Sequence, residues 1–274
     1  MDFPLVYLWL LPIGAVIGAF GTLIGAGGGF LLVPLLLLMY PNENPELITS
    51  ISLAVVFFNA LSGSIAYARM GRIDYKSGLI LASATVPGAI LGAITTTLIS
   101  RQAFNLIFGI ALIAVSLFLF LRPRQHISPA GGVIRLSLHR RVVEADGTVH
   151  EFTYNPVVGI GLSLFVGYFS SLLGIGGGII HVPVLTYLLN FPVHIATATS
   201  QFALAIMALT GTSVHVVNGV FAHGVRRALV LSLGVLVGAQ VGARLSNRVG
   251  GALIIRGLAL AMGLVGIRIV LLAL

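Results

Sequence analysis

Apolar residues in this chain come in long uncharged runs, among them Phe3–Ile24, Leu47–Ala68, Ser77–Ser100, Gln102–Leu121 and Pro156–Leu173. Each matches the roughly 17–25 residues that a helix needs to cross the hydrocarbon core of a bilayer. The pattern predicts five apolar segments at about 4–24, 28–40, 47–69, 77–99 and 102–121. Five more follow at about 156–173, 177–190, 195–218, 228–247 and 251–273. The second of each five is short: Phe30–Tyr40 has 11 residues. That is about 16 Å of helix against a core of roughly 30 Å. Between the two sets lies a polar stretch, Arg122–Asn155, in which Arg141–Tyr154 alternates around Asp146-Gly147 and predicts a β-hairpin.

The two sets repeat one another. Gly25-Ala26-Gly27-Gly28-Gly29, followed by Val33-Pro34, returns 149 residues later as Gly174-Ile175-Gly176-Gly177-Gly178, followed by Val182-Pro183. At an offset of 148, Thr49, Ser52, Gly63 and Gly71 meet Thr197, Ser200, Gly211 and Gly219. At an offset of 150, Gly88 and Gly92 meet Gly238 and Gly242. Residues 1–121 and 156–274 therefore read as two versions of one transmembrane unit. Residues 122–155 read as a cytoplasmic linker, with a regulatory role left open.

Two topologies satisfy this pattern. If the short segments cross, there are ten spans and the repeats are inverted, which the fold reading favours. If each short segment shares a crossing with its predecessor, there are eight spans and parallel repeats. Charge does not choose between them. With ten spans Arg69, Arg72, Lys76, Arg122, Arg124, Arg135, Arg140, Arg141, Arg244 and Arg248 lie inside, against Arg101, Arg226 and Arg227 outside. With eight spans Arg226 and Arg227 exchange with Arg244 and Arg248, and the balance is the same. The N-terminus is outside in the first case and inside in the second.

Composition strengthens the membrane reading. Of the 274 residues, 58% are hydrophobic and 8% charged, against about 25% charged in soluble domains, and the mean hydropathy is +1.09. This describes an all-α polytopic membrane protein. A net charge of +8 would suggest nucleic acid for a soluble chain, but here the cations sit mostly in connecting loops. The absence of cysteine excludes disulfides and thiolate metal sites. Met1-Asp2 is not a basic leader and the first run is too long for a signal peptide, so the first segment is expected to stay in the membrane.

Glycines spaced by four, Gly14/Gly18, Gly88/Gly92 and Gly234/Gly238/Gly242, read as close helix packing. The triple glycines read differently. They lack the Lys-Ser/Thr and the strand-turn-helix context of a nucleotide site. At membrane depth they break a helix and free N–H groups at a helix start, where the dipole favours an anion. Gly25, Gly27, Gly28 and Gly29, with Gly174, Gly176, Gly177 and Gly178, are thus candidate substrate contacts, and Pro34 and Pro183 mark the breaks. Ser52, Thr199, Ser200 and Gln201 begin the next helix of each unit, and Asn59 adds an amide. Capping or back-bonding to helix carbonyls would account for these side chains as well.

His181 lies inside the second break, where the first half has Leu32, and an intramembrane ionisable group points to function. His215 aligns with Tyr67 and reads equally as a bundle histidine; Arg256 faces the bundle or snorkels. All seven acids, Asp2, Glu43, Glu46, Asp74, Glu144, Asp146 and Glu151, fall at the N-terminus or in loops. A carboxylate proton relay and cation transport are therefore disfavoured, and amides, hydroxyls and a histidine suit an anion. No metal or cofactor is expected.

Two copies of Gly-x-Gly-Gly-Gly-x-x-x-Val-Pro, each followed by a Thr/Ser-rich helix start and a Gly-rich fourth segment, resemble the sulfite exporter TauE/SafE family, also called the toluenesulfonate uptake permease family. The resemblance covers both halves except the central loop. It implies a prokaryotic-type inner-membrane permease for sulfur-containing anions such as sulfite, thiosulfate or organosulfonates. Gly25, Gly27–Gly29, Pro34 and Ser52, with Gly174, Gly176–Gly178, Pro183, Thr199 and Ser200, match its motif positions. His181 departs from the usual apolar residue, so no role carries over to it, and Ile51 opposite Thr199 points to an asymmetric site. The reading is a secondary transporter that alternates access between two repeats around a midplane site. Its partners are the small anion and the bilayer, with no nucleic acid and a homodimer left open. The rivals are a passive anion channel and an intramembrane serine protease built on Ser62 and His215; the second is disfavoured because Gly63 aligns with Gly211 as a packing glycine.

Overall fold

A computed structural model describes residues 7–121, 137–246 and 251–273. Asp2, Arg122, Arg124, Arg135 and Arg248, all weighed above, lie outside the described residues, as does the side chain of Arg256. The first half contains α1 (Leu10–Ile24), α2 (Gly29–Met39), α3 (Pro45–Arg69), α4 (Tyr75–Thr96) and α5 (Arg101–Leu121). A hairpin of β1 (Leu138–Val143) and β2 (Val149–Tyr154) follows. The second half contains α6 (Pro156–Leu173), α7 (Gly178–Pro183), α8 (Val193–Val217), α9 (Val225–Leu245) and α10 (Gly251–Ala273). Six of the described helices are long and apolar enough to cross a membrane, α3, α4, α6, α8, α9 and α5 over Arg101–Phe118.

Local chemistry explains most boundaries. Asn155 caps α6 by accepting from the N–H groups of Val157 and Val158, with Pro156 at the first helical position. Asp74 caps α4 by accepting from Ser77. Gly25 and Gly174 end α1 and α6 in left-handed conformation, at φ 77° and 66°. Several boundaries differ from expectation: α1 begins at Leu10 rather than near residue 4, and α9 at Val225 rather than near 228. The fourth segment stops as a helix at Thr96 rather than near residue 99. The short segment of the second half is α-helical only to Pro183, then widens into a π turn over Val184–Leu188. Proline removes one N–H and crowds the preceding turn, which frees the ladder to change pitch there. Pro34 sits inside a continuous α2.

The helices pack in pairs that exchange partners between halves. α1 lies along α9 and α4 along α6, while α5 lies along α10 and α3 crosses α8. The four-spaced glycines make these contacts. A Cβ at Gly234, Gly238 or Gly242 would fall on the carbonyl of Leu11, Ala15 or Ala19, and one at Gly88 or Gly92 on that of Leu164 or Tyr168. Because the matched residues advance together, α1 and α9 run side by side in the same direction, and so do α4 and α6. Outward faces stay apolar: Phe20, Leu98, Phe165, Val237 and Leu264 are exposed, as expected of a surface solvated by lipid.

The hairpin forms over the expected Arg141–Tyr154 and starts three residues earlier, at Leu138, with Arg141 opposite Glu151 and Val143 opposite Val149. It docks by its buried face. Val142, Phe152 and Tyr154 pack with Leu185, Leu189, Phe191 and Ile195, and the Phe152 and Phe191 rings lie 4.3 Å apart. Arg140 Nε donates to Asp74 at 2.9 Å, Arg72 Nε to Glu144 at 2.6 Å, and the Ala145 N–H to the Met70 carbonyl at 2.9 Å. One small sheet thus ties the α3–α4 connection to the start of α8.

Candidate functional site

The two glycine breaks meet. After α1 ends at Gly25, Gly27 and Gly28 continue in left-handed conformation at φ 75° and 82° before α2 begins. In the other half Gly174 and Gly176 do the same at 66° and 68°. A Cβ at Gly29 would lie 2.5 Å from the Gly174 carbonyl oxygen, and one at Gly178 would fall on that of Gly25. Each break therefore rests on the other with no space for a side chain. Val56 and Leu204, near the middles of α3 and α8, close on Gly27, and Val56 also closes on Gly176.

Serines lock the crossing. Ser52 Oγ donates to the Gly174 carbonyl at 2.6 Å, and Ser200 Oγ donates to the Gly25 carbonyl at 3.3 Å. Each serves the break of the opposite half and satisfies a carbonyl that the helix end leaves free. The N–H groups of Ala26 and Gly27 return to the Gly21 carbonyl at 2.7 and 3.1 Å. By helix geometry the first N–H groups of α2 have no partner within the helix, and they point their positive end into the crossing.

Beside the crossing lies a buried polar cluster. Thr22 Oγ1 donates to Asn59 Oδ1 at 3.0 Å and accepts from Gln201 Nε2 at 3.1 Å. Tyr67 Oη donates to the Thr22 carbonyl at 2.9 Å. Asn59 Nδ2 and Gln201 Oε1 are buried without a hydrogen-bond partner, which leaves one donor and one acceptor unspent in the interior. Sequence reasoning found Asn59 and Gln201 but passed over Thr22 and Tyr67. The available signal was that Thr22 stands three residues before Gly25 as Ser171 stands before Gly174.

Two candidates lie off the crossing. Thr199 Oγ1 accepts from the Asp74 N–H at 3.1 Å, so it serves the α3–α4 connection. His181 is buried against Ser163, its Nε2 3.2 Å from Oγ, on the α6 side of its helix. Pro34 and Pro183 are buried within α2 and α7. The serine–histidine pair of the rival protease reading does not form: Ser62 Oγ donates to the Leu236 carbonyl at 2.8 Å and accepts from Gln240, while both ring nitrogens of His215 are unpartnered.

A family model described as Sulfite exporter TauE/SafE matches residues 10–269. The chain is 32% identical over 273 residues to the probable membrane transporter protein YunE of Bacillus subtilis, covering 96% of this chain and 97% of that one. It is 30% identical over 202 residues to a probable membrane transporter protein of Xylella fastidiosa, covering 73% and 70%. A probable membrane transporter protein of Methanocaldococcus jannaschii is 22% identical over 259 residues, 89% of each chain. No solved structure matches. With its doubled glycine break, its apolar helices and a family match spanning nearly its whole length, this chain belongs to the TauE/SafE sulfite exporter family of membrane transporters.

Proposed function

We propose that the protein is a secondary transporter of small sulfur-containing anions such as sulfite, thiosulfate or organosulfonates, and that the glycine crossing is its substrate site. The observation that carries this reading is the reciprocal seating of the two breaks, each held by the other half's serine. The first N–H groups of α2 supply positive potential without a net cation. The unspent Asn59 Nδ2 adds a donor, and Ser52 and Ser200 turn from the carbonyls to the anion when the crossing opens. Among the described residues nothing acidic lines the crossing, which suits an anion.

Alternating access follows from how the helices pair. α1 moves with α9 and α4 with α6, so each half is braced by a helix of the other. Rocking of these composite blocks opens the crossing to one side, then the other. The helix directions support inverted repeats with α1–α2 and α6–α7 as re-entrant pairs. The start of α6 and the start of α8 lie together at the hairpin, and Tyr40 at the end of α2 lies with Glu43 and Arg227 at the opposite end of α8. The cation-rich α3–α4 connection and hairpin then belong on the cytoplasmic side of a prokaryotic-type inner membrane.

The test is thermal unfolding of purified protein with sulfite, thiosulfate, sulfoacetate, taurine, sulfate and phosphate. A ligand that binds only the folded state raises its stability by about 2.7 kcal/mol at 100 times its dissociation constant. A sulfur oxyanion is expected to stabilise the protein, and Ser200→Ala to abolish that shift. Silence across the panel, or a shift that survives Ser200→Ala, would place the site elsewhere. Saturable flux in proteoliposomes is expected of a carrier, and flux linear in concentration would instead indicate a channel.

A further inference from the structure

At the end of the molecule away from the hairpin, a cleft of about 650 Å³ opens between the α2–α3 connection and the 3-10 turn Val220–His223. Glu43, Glu46, Leu47, Asn218, His223 and Arg227 are among its walls. Arg227 is already engaged: its guanidinium donates to Glu43 at 2.8 Å and stacks 4.5 Å above the Tyr40 ring. Glu46 is not so engaged. Its only ion-pair partner among the described residues is His215, whose Nδ1 lies 3.9 Å from Glu46 Oε1. The imidazole is fully buried, the carboxylate side chain 20% exposed to the cleft.

That histidine is unusual in its surroundings. Both ring nitrogens are buried without a hydrogen-bond partner, an arrangement that costs stability wherever it persists. It stands in the last turn of α8, and Glu46 stands in the first turn of α3. These two helices carry Ser200 and Ser52. The other titratable or charged groups around the pair are Glu43 and Tyr40 from the α2–α3 connection, His223 from the 3-10 turn and Arg227 from α9.

We propose that Glu46 and His215 are a proton-binding pair, reached from the cleft, that governs how tightly α3 and α8 close at this end of the molecule. With one proton on the imidazole the pair is an ion pair across the α3–α8 contact, and it draws the helices together. Without that proton a neutral ring faces a carboxylate with no bond between them, and the end of the contact loosens. Helices that hold the two serines at the crossing then pass this difference on, so proton binding is tied to anion passage. The coupling to anion passage rests on the transporter reading; the proton-dependent closure does not.

The chain contains no cysteine, which makes a direct test available. Leu47→Cys places a thiol on the buried floor of the cleft and Asn218→Cys one on its exposed rim. Their labelling rates with a membrane-impermeant maleimide are compared in proteoliposomes without any anion cargo, so that their ratio cancels the titration of the thiol itself. Between about pH 8 and about pH 4, a span wide enough for a buried imidazole to take up its proton, the floor-to-rim ratio is expected to fall. The fall is about fivefold, the population shift given by a single partly exposed ion pair. It is expected to vanish in His215→Gln and in Glu46→Gln. A flat ratio in the background protein, or a fall that survives both substitutions, overturns the pair. A second arm follows a transported sulfur oxyanion: both variants should retain anion exchange and lose accumulation driven by a pH gradient. If the labelling behaves as stated and gradient-driven accumulation is undiminished in both variants, the closure stands and the coupling is wrong. Failure of every anion to move would count against the transporter reading alone, since the labelling arm needs no cargo.

Discussion

A methyl group added at Gly178 would fall on the carbonyl oxygen of Gly25, which also accepts the hydroxyl of Ser200. Neither backbone can step aside without breaking the lock of the crossing. Gly178→Ala is therefore expected to destabilise by at least the roughly 1–3 kcal/mol of ordinary overpacking. Gly161, on the outward face of α6, has nothing within 4 Å of an added Cβ, and Gly161→Ala should be neutral or gain about 0.5 kcal/mol from helix propensity. Thermal unfolding in detergent compares them, and equal melting of the two would mean that the breaks are not in contact. The glycines were legible because a doubled run of three has few other uses. The side chains around them were less so. Thr199 and Ser200 looked interchangeable in sequence, but neighbouring helix residues point about 100° apart. Only Ser200 reaches the crossing, while Thr199 turns to Asp74. Thr22 was missed because a lone threonine in an apolar helix has no pattern of its own.

The hairpin is where an element's form and its placement part company. Its Asp-Gly turn and alternating strands are local features, and they predicted the strands well. Its docking rests on Arg140 with Asp74 and Arg72 with Glu144, partners far apart in sequence that no local pattern reveals. Burial pushes the Asp74 carboxyl up, but hydrogen bonds from Arg140 and Ser77 and the charge of Arg140 outweigh it and hold the group below the usual carboxylate range. A depressed folded value means that the stabilisation is complete above the unfolded value near 3.9 and is lost as pH falls through the folded one. Docking should thus be intact at neutral pH and loosen below about pH 4. Hydrogen-exchange protection of the β1–β2 amides reads this. Protection is expected to drop on acidification in the natural chain, and in Asp74→Asn to start lower and to respond less to acid, since the Arg72–Glu144 pair remains. The same acid response in both proteins would remove Asp74 from the docking.

At the scale of the whole molecule, the number and order of helices followed from apolar runs, but their directions did not. Two topologies tied on loop charge because Arg226 and Arg227 balance Arg244 and Arg248 in number. Packing bears on the choice where charge is silent. With inverted repeats, α6 enters from the hairpin end and α7 returns to it, so α8 begins beside the hairpin and ends on the far side. With parallel repeats and eight spans, α6 and α7 share one crossing, and α8 would begin on the far side from the hairpin. Phe152 and Tyr154 pack on Phe191 immediately before α8, and a 25-residue α8 then carries the chain about 37 Å away. Single cysteines make the choice measurable, because Ala145 at the hairpin tip and Ala222 in the 3-10 turn are both exposed and no native thiol competes. In intact cells an impermeant maleimide should label Ala222→Cys and spare Ala145→Cys, and in inside-out vesicles the preference should reverse. Under the eight-span arrangement both positions lie on the cytoplasmic side, so both would be spared in cells and labelled together in inverted vesicles. That result would dismantle the re-entrant pairs, and with them the rocking by which the crossing opens to one side and then the other.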